Sequence, residues 1–456
     1  MYTGRMDLPA SNIVSPSVFT RIKSFRHFAP RAMAQTSISV ANFVQIQVAA
    51  RVLETHEFGL LSLILAVNAG MFLALYAPVC EGINRFLHDA RRNSQMRDFH
   101  HSVAIVLAAA IAITVLAGGT MIVADWVGAL RISALPSLLI VSGTGYIVAY
   151  GIAGVAAGYY SVQRRYYFWL AFGFAIPALT AVITGISSIV TRPGPLLFIA
   201  CQCAITTMLI VAASVPHRKS LAQICSSLVH RHKLPVTATA LLGFIWVFPF
   251  LTLGRFIFTF ADRFAVANFF TLAEVGTYGY MYILTTTVVG AVSTIYYAAT
   301  YLRAVEQHAH AASANEAHAI VLRFTRISLL FPLCFVPLLA LYFLWDQRIA
   351  TIVLGAHAVI PPHCLPLLLA ASGLYFGSEQ LSLTGYLLHR VRAFLIIRWI
   401  FAAMLIAGLL FFHSSLYQVS LVMILANIAH FVAALTAALV LSAKGPALQH
   451  FEPFKA

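Results

Sequence analysis

Apolar residues are gathered along this chain into long runs, separated by short polar stretches. A helix needs about 20 apolar residues to cross the hydrocarbon of a bilayer. Runs of that length are read at roughly 32–53, 58–82, 102–124, 134–158, 166–188, 195–215, 237–261, 273–299, 325–345, 364–388, 393–412 and 416–440. The pattern predicts an all-α polytopic membrane protein with about 12 transmembrane helices. The run 134–158 carries Gly143, Gly145, Gly151, Gly154 and Gly158, and small residues four apart let helices approach closely. Two stretches differ from the long runs. "SVFTRIKSFRHF" sets Val18, Phe19, Ile22 and Phe25 on one helical face, with Arg21, Lys23, Arg26 and His27 mostly elsewhere. "HRKSLAQICSSLVHRHKLP" places Leu221, Ile224, Cys225 and Leu228 at helical spacing between basic flanks. Both are expected to lie on an anionic inner leaflet.

Composition agrees with the pattern. The chain is 61% hydrophobic and 9% charged, with mean hydropathy +0.87, where soluble domains carry about 25% charged residues. Its solvent must be lipid. The net charge of +15 would point to nucleic acid in a soluble protein; here its distribution excludes that. Of 29 Lys and Arg, Arg51, Arg131, Arg192, Arg263 and Arg348 fall on one side, Arg255 and Arg398 fall inside spans, and the rest fall on the other side. The bias orients both termini to the cytoplasm. The expected organisation is a cytoplasmic amphipathic segment 1–31, a six-helix bundle 32–216, a cytoplasmic linker helix 217–236, a second six-helix bundle 237–441 and a cytoplasmic tail 442–456. The six Cys show no CxxC and no ladder of disulfide spacing. Cys364, near the outer end of its span, is expected to react with an impermeant thiol reagent from outside more than Cys225 does.

"THEFGLLSL" at 55–63 and "LAEVGTYGY" at 272–280 are variants of one loop. Glu57 and Gly59 correspond to Glu274 and Gly276. Arg85 follows Gly59 by 26 residues and Arg303 follows Gly276 by 27, so the two hairpins match in loop, length and basic end. Two parallel six-helix repeats about an axis along the membrane normal explain the match. They enclose a central cleft suited to alternating access.

The stretch "AARVLETHEFGLLSLILAVNAGMFLALYAPVCEGINRFLHD" resembles the first hairpin of Wzx-type polysaccharide flippases of the MOP superfamily. The family's arginine ending span 1, its E-(F/Y)-G loop and its basic end-stop correspond to Arg51, Glu57-Phe58-Gly59 and Arg85. "TFADRFAVANFFTLAEVGTYGY" resembles the family's junction of spans 7 and 8, through Asp262, Arg263, Val275, Gly276 and Tyr278. The resemblance covers the architecture of the whole chain, and these two hairpins in residues. It implies movement of a lipid-linked oligosaccharide, undecaprenyl-pyrophosphate-linked in bacteria, across the cytoplasmic membrane for polysaccharide biosynthesis. A polysaccharide polymerase and a chain-length regulator are the protein partners it implies.

A path for a pyrophosphate and its sugars must be polar and preferably cationic, and ionisable groups inside a membrane are functional candidates by default. Arg255, Arg51 and Arg263 are expected to converge in the outer half of the cleft. Arg255 otherwise snorkels or pairs with Asp262. Asn42, Gln45 and Asn68 are polar positions in spans 1 and 2. Tyr278 and Tyr282, four apart, form either a sugar-contacting face or part of an interfacial aromatic belt. Glu379 lies 11 positions before Arg390, about 16 Å from the loop, and Arg398 lies 6 positions after Arg392, about 9 Å up the next span. The two form either a structural ion bridge or a cation-coupling site. His430 is expected at a helix interface.

No cofactor is expected: the chain has no G-x4-GK[ST] and no Asp-x-Asp, and the His308, His310 and His318 loop lacks the Cys and scaffold of a metal site. The rival classes are a multidrug or organic-ion antiporter of the same superfamily, and a membrane-embedded polymerase or glycosyltransferase. Short loops argue against an enzyme. An antiporter for organic cations would need more acidic residues than one deep carboxylate.

Overall fold

The structure, a computed structural model, describes residues 18–92, 94–126, 137–162, 170–191, 194–214, 236–309, 313–355, 358–388 and 390–443. Within them twelve helical rods succeed one another. They are α1 (Val18–Val52), α2 (Thr55–Met71 continuing through Phe72–Tyr76 and Ala77–Arg92), α3 (Met96–Trp126) and α4 (Ser137–Val162). Next come α5 (Ala171–Ala175 and Ile176–Val190), α6 (Pro195–Ser214), α7 (Val236–Phe269) and α8 (Leu272–Tyr282, Ile283–Thr287 and Val288–Ala309). The last four are α9 (Ala314–Leu330, Pro332–Phe335 and Val336–Leu354), α10 (Cys364–Leu387), α11 (Val391–Phe411) and α12 (Leu416–Ala443). Among the described residues, nine helices are long and apolar enough to cross a membrane. With no water in the hydrocarbon, backbone groups must bond within the segment, and a helix does this.

Several rods outrun the apolar stretches that announce them. The apolar run of α7 stops near residue 261, but its helix continues to Phe269; α9 likewise extends to Leu354. In α7 the apolar run is interrupted by Asp262 and Arg263, which are buried in the protein, and the helix continues past them. Residues 18–31 are not a separate element either, since α1 runs unbroken from Val18. The linker 217–235 and the tail beyond Ala443 lie outside the described residues.

The repeated loops are helix N-termini. At α8 the Thr271 hydroxyl accepts from the Glu274 amide at 3.3 Å, and the Glu274 carboxylate accepts from the Thr271 amide at 2.9 Å. At α2 the Glu57 carboxylate accepts from the Glu54 amide at 3.0 Å. Such reciprocal bonds satisfy amides that a helix start leaves open. The two glutamates of the repeat therefore define where α2 and α8 begin.

The two glycines define where the halves meet. A Cβ on Gly59 would strike the carbonyl oxygen of Leu272 and lie 2.8 Å from the Gly276 nitrogen, and a Cβ on Gly276 would strike the carbonyl of Thr55. Thr55 and Leu272 each precede their glycine by four residues. The contact is thus reciprocal, as an axis passing between the two glycines requires. Phe58 stacks on Tyr280 beside it, ring centroids 4.8 Å apart. We refer to this as the hairpin end. The largest apolar core crosses from one half to the other here, with Ala49, Leu53, Phe58, Leu61 and Phe198 of the first half joining Val275, Tyr278, Tyr280, Leu354 and Ile360 of the second. Towards the opposite end each half has its own cores, such as Tyr76, Val79, Ile83 and Phe99 in the first and Ala304, Val321, Phe324 and Leu387 in the second. The molecule is two bundles that share their largest core at the hairpin end and touch again further along, where α7 meets Ala77–Arg92 of α2 and α3, and α1 meets Val288–Ala309 of α8.

Candidate functional site

Side chains across the seam at the hairpin end bond mainly to backbone. The Arg51 guanidinium donates to the carbonyls of Ile352 at 2.7 Å and Val353 at 3.1 Å, and the Gln47 amide donates to Val353 at 2.8 Å. These carbonyls belong to the last turn of α9, where a helix leaves its acceptors unpaired and favours a cation. Arg51 is therefore a clasp between α1 and α9. Arg263 of α7 crosses the seam in the other direction, donating to the Ser62 carbonyl of α2 at 3.2 Å.

Arg263 belongs to a buried node. Asp262 is 2% exposed and accepts from the Arg263 amide at 2.8 Å and from the Tyr278 hydroxyl at 2.6 Å. The Arg263 guanidinium lies 3.4 Å from the Tyr282 ring centroid and 5.4 Å from that of Phe260. Cation–π contact of this kind compensates a desolvated guanidinium. Tyr278 and Tyr282 thus both serve this node: one anchors Asp262 and the other faces Arg263.

A second group lies deeper. Arg255 is 14 residues from the end of α7 at Phe269, about 21 Å along the helix. Glu379 is 15 residues from Cys364 at the same end of α10, about 22 Å. Arg398 of α11 donates to the Glu379 carboxylate at 2.5 Å, with 11% of the Arg398 side chain and 17% of the Glu379 side chain exposed. Arg255 lies within electrostatic reach of Glu379 and Tyr375. Among the described residues it forms no ion pair of its own. Its side chain is exposed. Tyr386 has the same character, and it lies within reach of Glu379, Arg398, Arg255 and Glu81, the last from α2 of the first half.

Of the sequence-derived residues, Glu379 and Arg398 meet directly. The three arginines do not converge. Arg51 is at the seam, Arg263 is in the buried node, and Arg255 lies 8 residues below Arg263 on α7, about 12 Å away. The reason is the length of α7, which puts Arg255 two further turns from the hairpin end than its apolar run implies. Asn42 donates back to the Ile38 carbonyl at 2.9 Å, within its own helix. Gln45 and Asn68 are buried, with the Gln45 Nε2 and both polar atoms of Asn68 lacking a hydrogen-bond partner. His430 is buried at an interface, 2.9 Å from the Ser378 hydroxyl and stacked on Phe258 at 4.6 Å. Cys364 is fully buried, so its thiol is closed to a reagent in this conformation, and Cys225, with which it is compared, lies outside the described residues. α12 covers the first turn of α10, with Leu416 and Val419 of its first turn buried in the same core as Cys364. Sequence reasoning missed Tyr375 and Tyr386, yet they lie four before and seven after Glu379 on one helix, a spacing that puts all three on one face.

No protein-family model and no curated protein matches the chain. Solved structures do. A multidrug resistance MATE family transporter of the MOP superfamily in an outward-facing conformation superposes with TM-score 0.55 at 12% identity, covering 91% of this chain and 96% of that one. A MATE in complex with MaD3S gives TM-score 0.60 at 14% identity, covering 92% and 96%. The Vibrio cholerae MATE transporter VcmN in its bent form gives 0.51 at 14%, covering 93% and 97%. The chain has the fold of these MOP-superfamily transporters and is a multi-pass membrane protein.

Proposed function

We propose that the protein is a secondary transporter whose cleft carries amphipathic organic anions, an organic-ion antiporter in type. Arg255 carries this reading. It is an exposed guanidinium without an ion pair among the described residues, next to a Glu379–Arg398 pair that balances its own charges. A surplus positive charge in a low-dielectric cleft attracts anions strongly. Tyr386, 40% exposed, adds a ring and a hydroxyl for an organic body. Likeness in fold to multidrug transporters supports small amphipathic solutes.

The second reading is a flippase for an undecaprenyl-pyrophosphate-linked oligosaccharide. It is favoured by Arg51, Glu57-Phe58-Gly59 and the Asp262-Arg263 pair, and the same surplus charge suits a pyrophosphate. On that reading a polymerase and a chain-length regulator are its partners. Both readings place the protein in the bacterial cytoplasmic membrane with cytoplasmic termini, where its basic ends meet anionic lipids.

The full chain in liposomes tests the choice. Size-matched anionic and cationic fluorescent amphiphiles and a lipid-linked oligosaccharide are offered under imposed proton and sodium gradients. The expected result is gradient-driven movement of the anionic amphiphile, lost in Arg255→Ala. Movement of the cationic dye alone overturns the polarity; movement of the oligosaccharide lipid alone transfers the assignment to the flippase.

A further inference from the structure

The C-terminal half carries a groove of about 800 Å³ between α9, α10 and α12, outside the cleft. Its walls include Phe343, Leu367, Tyr417 and Ile424, and the small Ala340 and Ala370 leave its space open. α9 is interrupted on both sides of it, by the 3-10 turn Pro332–Phe335 and at Trp345, whose φ/ψ of −140°/30° leave the helix. The α9 wall from Val336 to Leu344 rises eight residues, about 12 Å. One leaflet of a hydrocarbon core about 30 Å thick measures about 15 Å.

The groove is apolar along its length, with His363 its one basic wall residue. His363, in the turn before α10, packs against Phe343 with ring centroids 5.9 Å apart. Beyond the last wall residue, Leu344, and past the break at Trp345, α9 exposes Arg348 and Ile352 (72%). Arg348 forms no ion pair among the described residues. The neighbouring Asp346 accepts from the Gln347 amide at 2.7 Å. A flat lipid-facing helix touches a hydrocarbon chain on one side; a groove encloses it and multiplies small dispersion gains. A guanidinium at the mouth matches a phosphate oxygen pair.

We propose that this groove binds one acyl chain of an anionic phospholipid from the leaflet at the hairpin end, with the phosphate held by Arg348. The site is separate from the cleft and does not depend on which solute the cleft carries. The test uses the full chain in liposomes containing phosphatidylglycerol with a diazirine on one acyl chain, irradiated and mapped by peptide mass spectrometry. Cross-links are expected on 336–344 and 417–424. They should exceed those on the exposed α5 surface at Ile186 and Ile189, 59% and 83% exposed but without a groove. Ala340→Trp should lower groove labelling several-fold and leave the α5 labelling unchanged. Arg348→Gln should remove the advantage of phosphatidylglycerol over phosphatidylcholine carrying the same probe. Equal labelling of groove and α5 in the unaltered protein overturns the proposal, and so does undiminished labelling in a folded Ala340→Trp variant. Displacement of the phospholipid by low amounts of a polyprenyl phosphate would overturn the occupant and assign the groove to an isoprenoid chain.

Discussion

Glu379 is one carboxylate facing two guanidiniums, with Arg398 bonded to it and Arg255 within reach. Replacing it by Gln leaves both arginines without an anion. Removing one member of a buried pair costs about 3–5 kcal/mol, because the remaining charge keeps its desolvation cost. Glu379→Gln is expected to lower thermal stability by that order, and Glu379→Gln with Arg398→Gln to recover much of it. Normal melting of the single variant with abolished gradient-driven transport would instead make Glu379 a coupling residue. The pair was legible because both residues could be dated from a loop: Glu379 from Arg390 and Arg398 from Arg392. Arg255 was misplaced because no loop residue marks the true end of α7. The apolar run stops at Asp262 and Arg263, a charged pair buried in protein, and α7 continues for two turns past that point.

At the scale of elements, α2 and α8 cross with backbone against backbone. Overpacking a well-filled contact usually costs about 1–3 kcal/mol, since side chains shift to relieve it. At Gly276 the obstacle is the Thr55 carbonyl, which moves only if the helix start moves. Gly276→Ala is expected to destabilise by the upper part of that range or more, measured by thermal unfolding in detergent. Gly119→Ala is the control: a Cβ there meets nothing within 4 Å, and the change should stabilise by up to about 1 kcal/mol through helix propensity. If both substitutions behave alike, the crossing is looser than described. The E-x-G pattern revealed that these loops were related but not that they touch. Periodicity within a helix says which face is apolar, and it carries no information on which distant helix covers that face.

At the scale of the molecule, the clasp from Arg51 and Gln47 to α9 and the bond from Arg263 to Ser62 hold the halves at one end. Any conformation that separates the halves there must give up these bonds. Arg51→Ala removes two of them and leaves two helix-end carbonyls without the cation. Cys364, buried near this seam, is an internal reporter. In the unaltered protein a maleimide should label Cys364 slowly, by peptide mapping. Arg51→Ala should raise the Cys364 rate, while Arg51→Lys should raise it less. An unchanged rate would remove the clasp from any role in opening.

The reciprocal glycine contact also bears on how such a chain can change over time. Elsewhere, apart from α7 against α2 and α3, most helices pack mainly within their own half, so most substitutions can be absorbed locally and their counterparts are free to drift. At Gly59 and Gly276 each copy is the other's environment. A side chain gained on either side must be accommodated by the start of the opposite repeat, which faces the same constraint in return. Two halves built this way lose their likeness everywhere except along the line where they meet, and the short loop written twice in the sequence marks that line.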